Sequence, residues 1–138
     1  MKKLVLFLVL LMNIVACTSR TPEPRREMST IKPEKNDDGE WDLVVIDDRF
    51  DYFMSAIAKP VSQYSESYLK TKNAMLVSEW NGYYYSGRHR DAIESSIDYN
   101  PQENYGLNFE YKLYQVFAYV QWRYGLKLNG LSGAEVRR

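Results

Sequence analysis

Apolar residues fall in two zones of this chain, with a polar stretch between them. Residues 4–15 form one apolar run interrupted only by Asn13. Residues 18–39 hold three prolines, ten charged side chains and almost nothing apolar. From Trp41 onward the apolar positions recur with structural periods. Trp41 to Ile46 is β-branched and apolar after Asp42, which predicts a short buried strand. Asp47-Asp48 stops it, and Asp48 with Asp51 suits a capping box with Asp in place of Glu. Phe50, Phe53, Met54, Ile57 and Ala58 follow at i, i+3, i+4, i+7 and i+8, an amphipathic helix ended by Pro60. Ser65 caps a second helix with Leu69, Leu76, Trp80 and Tyr83 on one stripe, stopping at Gly82 or running on through Tyr83-Tyr84-Tyr85. Ile93, Ser95, Ile97 and Tyr99 alternate with Glu94, Ser96 and Asp98, which predicts a half-exposed strand closed by Asn100-Pro101. A third helix spans about residues 104–124, apolar on nearly every side and broken by Glu110, Lys112, Gln115, Gln121 and Arg123. It reads as the central helix and not as a membrane span.

The order strand, helix, helix, strand, helix predicts a small, mostly helical α+β domain. Two strands alone are marginal, so three helices must cover a two-stranded sheet. The expected pairing is antiparallel, 41–47 against 92–99. Residues 40–126 are expected to form the globule. Residues 127–138, with Gly130, Gly133 and Arg137-Arg138, read as a frayed tail.

The amino-terminal run is too short for a helical span, which needs roughly 20 apolar residues. Lys2-Lys3, the apolar core, a small residue at Ala16 and Cys17 lay out a lipoprotein signal covering 1–16. The lone cysteine of a secreted chain needs an explanation, and lipid attachment at Cys17 supplies one. Multiple acyl chains would make the anchor permanent. Residues 17–39 would then be the lipidated cysteine and a disordered tether, since they cannot bury enough surface to order themselves. As a coil the 22 residues from Thr18 would reach roughly 25 Å.

Charge narrows the partners. The full chain has 18 basic and 18 acidic residues. Between Glu40 and Arg123 there are 8 basic and 12 acidic, a deficit unlike the basic face of a nucleic-acid binder. No nucleic acid, cofactor or metal is expected.

Several patterns suggest chemistry and each has a plainer reading. Ser67-Tyr68-Leu69-Lys70 matches Ser-x-x-Lys, but no Lys-Thr-Gly strand follows. Residues 34–39 have oxygen ligands at calcium-loop spacing, but Val45 stands where the bidentate carboxylate belongs. His89, the only histidine, sits between Arg88 and Arg90 and reads as an exposed loop residue. Asp47, Asp48 and Asp51 could supply a carboxylate pair, or simply end a strand and cap a helix. The stronger signal is aromatic: 19 of the 84 residues from Trp41 to Tyr124 are Trp, Tyr or Phe. The densest group is Trp80, Tyr83, Tyr84, Tyr85, Arg88 and Arg90. Aromatic rings beside arginine are what binding surfaces use, while the plainer reading packs them in the core.

The Cys17 signal, the tether, Val44-Val45-Ile46-Asp47 with its neighbours, Ser65–Leu69, Val77-Ser78-Glu79-Trp80-Asn81 and Ile97-Asp98-Tyr99-Asn100-Pro101 through Tyr105-Gly106 together resemble an uncharacterised domain-of-unknown-function family of small bacterial lipoproteins. The resemblance implies an envelope location and transfers no catalytic residue. The expected function is a non-enzymatic binding or scaffolding module. It would be held in the cell envelope by acyl chains on Cys17, in the outer membrane facing the periplasm, and would engage an envelope protein or glycan through Trp80, Tyr83, Tyr84, Tyr85 and Arg88. The alternative is a small carboxylate-dependent hydrolase of cell-wall material.

Overall fold

A computed structural model describes residues 30–45, 47–133 and 135. The expected signal segment, Cys17 and most of the expected tether lie outside the described residues. Among the described residues three α-helices carry the fold: α1 Asp48–Ala56, α2 Glu66–Ser86 and α3 Leu107–Tyr124. Four two-residue strands accompany them: β1 Thr30–Ile31, β2 Glu34–Lys35, β3 Trp41–Asp42 and β4 Ser96–Ile97. The molecule is the expected α+β domain, with three helices and a two-stranded antiparallel sheet.

The sheet is built from other residues than expected. β2 pairs antiparallel with β3, with Glu34 opposite Asp42 and Lys35 opposite Trp41. The loop between them is a tight turn. Asn36 Oδ1 accepts from the amides of Asp38 and Glu40, and Gly39 adopts φ 78°, where a Cβ would be strained. Residues 34–39 are therefore a hairpin, not a calcium loop. Among the described residues the expected pairing of 41–47 with 92–99 does not form. β4 pairs parallel with β1 instead, Ile31 opposite Ile97. Beyond β3 the chain leaves the strand: the Leu43 amide bonds back to Asp42 Oδ1 at 2.7 Å, and Val44 is mostly exposed.

The helices end where their residues dictate. Asp47, one position before the expected cap, accepts from the Arg49 amide at α1. Ser65 Oγ accepts from the Tyr68 amide and starts α2 as expected. That helix runs past Gly82 to Gly87, whose φ of 71° closes it with bonds to the Tyr83 and Tyr84 carbonyls. α3 is the central helix: every residue from Leu113 to Val120 is buried. α2 and α1 both pack against it, with Phe50 and Phe53 set edge-on to Tyr119.

The segment around β4 lies against α2 and takes its hydrogen bonds from side chains. Asn81 bonds both backbone groups of Ile97 at 2.8 Å, which is what a neighbouring strand would do. Trp80 Nε1 donates to the Ser95 carbonyl at 2.7 Å. With β1 on its other side, the segment satisfies its buried backbone without a longer sheet.

The expected globule edges also differ. Residues 30–42 supply three of the four strands, although they belonged to the expected tether as far as Gly39. Residues 128–131, expected in a frayed tail, cross α2. Leu128 and Leu131 are buried. The Asn129 amide donates to both Glu79 carboxylate oxygens, and Lys72 Nζ donates to the Gly130 carbonyl. A Cβ at Gly130 would stand 3.0 Å from Leu76 Cδ2, so the Leu76 side chain would have to shift to admit one.

Candidate functional site

The aromatic group expected as one surface separates into three environments. A helix turns about 100° per residue, so Trp80 and the three tyrosines after it point in different directions. Trp80 faces the core, 3% exposed and edge-on to Phe117 at 5.7 Å. It is not a surface residue, because the stripe of Leu69, Leu76 and Val77 that it continues is the buried face of α2. Tyr83 is half-buried and enclosed by its own neighbours. The Arg88 guanidinium lies over its ring at 4.7 Å, the His89 ring meets it edge-on at 4.9 Å, and its hydroxyl donates to Glu79. That hydrogen bond to a carboxylate is the main cause raising the phenol above its usual pKa. Only Tyr85 is well exposed, at 67%, with Tyr84 half-buried against it.

His89 is exposed, as expected, and has φ 55°, the one positive value among described non-glycine residues. The Ala92 and Ile93 amides bond its carbonyl, so this conformation turns the chain from α2 toward β4. The turn forms one wall of a cleft of about 390 Å³ that includes Tyr83, His89, Asp91, Tyr124 and Lys127. Arg90 Nε bonds the Gly87 carbonyl, and Arg88 Nε bonds Ser86 Oγ. The surface part of the group is thus Tyr85, Tyr84, Arg88 and Arg90.

The other candidate chemistries are put to structural use. Asp47 Oδ1 caps α1, and its Oδ2 accepts from the Tyr119 hydroxyl at 2.6 Å. The Tyr119 bond is the main cause holding the Asp47 carboxyl below its usual pKa. Asp48 and Asp51 lie exposed in the first turn, where the helix dipole favours acids. Lys70 Nζ bonds the Glu103 carbonyl, and Ser67 Oγ sits 3.4 Å from Ser65 Oγ, so this pair has separate partners. Among the described residues no three His, Cys, Asp or Glu side chains group to hold a metal ion, and no helix is long and apolar enough to cross a membrane.

Two polar clusters escaped the sequence reading. In the first, Glu110 is 1% exposed between α2 and α3. Asn73 Nδ2 donates to its carboxyl at 2.7 Å and to its carbonyl at 2.8 Å, and the Tyr99 hydroxyl lies 3.1 Å away. Burial raises this carboxyl above its usual pKa, against the opposing effect of those bonds. Charged residues on an apolar helix read as its exposed positions, and only the packing shows that Glu110 lies inside. The second cluster gathers Tyr64, Tyr68 and Tyr114 around Glu135. Its members lie far apart in sequence, so no local spacing announces it.

No curated protein and no solved structure matches this chain. A family model does match, over residues 4–136, described as a family of unknown function. That span takes in nearly the whole chain, from the amino-terminal apolar run to the segment carrying Glu135, and the chain therefore belongs to the family of unknown function DUF6146.

Proposed function

We propose that this chain is a lipid-anchored protein of the cell envelope that binds or scaffolds another envelope component without catalysing a reaction. The observation that carries the reading is the amino-terminal order of Lys2-Lys3, twelve mostly apolar residues, Ala16 and Cys17. The family match begins at residue 4, so Cys17 lies within the shared span. Thr18 in the position after the cysteine, in place of Asp, favours the outer membrane facing the periplasm.

The binding surface of this reading is Tyr85 and Tyr84 with Arg88 and Arg90, without Trp80. An exposed Tyr85 ring with exposed arginines nearby in the chain suits a protein or glycan partner. The hydrolase reading has less to support it. Both Asp47 carboxylate oxygens are occupied in capping α1 and holding Tyr119, and Asp48 and Asp51 stand at the helix surface.

Detergent phase separation of cell extracts tests the anchor. The full chain should partition into the detergent phase and sediment with outer-membrane fractions. Recovery in the aqueous phase alone would contradict the reading.

A further inference from the structure

Three parts of the chain meet at one end of the molecule. Asn73 bonds Glu110 and Trp80 meets Phe117, so α2 and α3 run in the same direction and their C-termini lie together. The cleft that joins Tyr83 and His89 to Tyr124 and Lys127 spans the two. From His89 the chain returns along α2: Trp80 and Asn81 hold residues 95 and 97, and Lys70 reaches Glu103. β4 therefore points away from the two C-termini. β1 pairs parallel with it, Thr30 opposite Ser96, so the chain enters β1 from the side of those C-termini.

This end is basic on an acidic domain. Over residues 84–91 and 123–127 there are four basic side chains, Arg88, Arg90, Arg123 and Lys127, and one acid, Asp91. From Glu40 to Arg123 the balance is 8 basic to 12 acidic. All four cations are exposed. Helix C-termini favour cations nearby, which accounts for some of this charge. It does not account for Tyr85 at 67% and Tyr124 at 45% exposure on the same end. Exposed tyrosines together with Lys and Arg suit a bilayer surface, the rings at headgroup depth and the cations on anionic lipid.

The chain between Cys17 and Thr30 reaches at most about 45 Å. The 21-residue helix α2 is about 30 Å long. An anchor at Cys17 therefore brings this end toward the bilayer, rather than the end carrying Tyr68. We propose that this end is a membrane-contacting face, on which Tyr85, Tyr124 and the four cations rest against anionic lipid headgroups of the bilayer that holds the chain. The inference narrows the envelope component of the proposed function to anionic lipid, and it rests on the anchored reading for nearness to the bilayer. The charge and the entry of the chain favour lipid over a protein or glycan at this face.

The full chain in bicelles tests it. The readout is broadening of tyrosine ring resonances by a lipid with a gadolinium chelate on its headgroup, in phosphatidylcholine alone and with phosphatidylglycerol added. Tyr85 and Tyr124 should broaden, more strongly once the anionic lipid is present, and Tyr68 should stay sharp in both. Salt should reverse the anionic gain. Each cation at an anionic surface is worth about fivefold in occupancy, so Arg88→Gln with Arg90→Gln should lower the contact roughly 25-fold. Arg123→Gln with Lys127→Gln leaves the Arg90 bond to Gly87 in place and should do the same. That pair decides the matter where melting curves show the first unfolded. Failure of the anchor shows separately, as a chain that elutes apart from neutral bicelles, and the anionic comparison is then read in the same way. The proposal is overturned if Tyr68 broadens as much as Tyr85 and Tyr124, or if anionic lipid changes nothing, which leaves the face to a protein or glycan.

Discussion

Phe117→Ala probes the packing of the central helix. Phe117 is 0% exposed and lies edge-on to Trp80 at 5.7 Å. Its neighbours on α3 from Leu113 to Val120 are also buried, so the space it leaves has no route to solvent and little freedom to close. Removing the ring forfeits about 1.5–3 kcal/mol of transfer free energy, and the residual cavity brings the loss to about 3–5 kcal/mol. The aromatic pair with Trp80 contributes about 0.5–1.5 kcal/mol of this. A domain of this size is stable by about 5–15 kcal/mol in all, so the variant should be close to its folding limit at body temperature. Phe117→Leu keeps most of the volume and should cost less than half as much. Urea titration measures both, with the midpoint falling and the slope unchanged. A loss below about 1 kcal/mol for Phe117→Ala would mean that α3 is not the centre of the core.

Glu110→Gln should flatten the dependence of stability on pH. Burial raises the folded carboxyl above its usual pKa, so the folded state holds its proton more tightly than the unfolded chain does. The associated stability is complete in acid and is lost as pH rises above that value. Urea midpoints of the wild type should therefore fall relative to those of Glu110→Gln as pH rises from the acid range toward neutrality. Asp47→Ala removes the α1 cap and should cost about 0.5–2 kcal/mol at neutral pH. The Tyr119 bond holds the Asp47 carboxyl below its usual pKa, so this cost should shrink as pH falls through the acid range in the same titration. Trp80→Ala should lose about 3–5 kcal/mol on melting, whereas Tyr85→Ala should stay within about 0.5 kcal/mol.

The helices were legible because capping and periodicity are local. Ser65 marked the start of α2, and the repeat through Phe50 and Phe53 marked α1. The strands were not legible, because short sheets depend on partners the local pattern does not name. Residues 43–46 have strand composition, yet Asp42 captures the Leu43 amide and ends the strand. Residues 93–99 alternate as a strand should, but Asn81 and Trp80 replace the neighbour that a longer sheet would have provided. The polar stretch of residues 30–39 contains an Asn-Asp-Asp-Gly turn, a hairpin signal that its charge obscured. The aromatic group illustrates the same limit. Nearness in sequence gathered Trp80 with Tyr85, but five residues of helix rotate the two about 140° apart, which put the first in the core and the second in water. Burial of Trp80 was readable from its stripe with Leu69 and Leu76. Glu110 and Glu135 were not readable as cluster members, since their partners lie on other elements.

Metabolic labelling with radioactive palmitate, followed by recovery of the full chain, tests the central claim most directly. The account predicts that the wild-type protein takes up label and that Cys17→Ser, expressed to the same level, takes up none and remains an unprocessed precursor. A wild-type protein free of label, or equal label in Cys17→Ser, would contradict it.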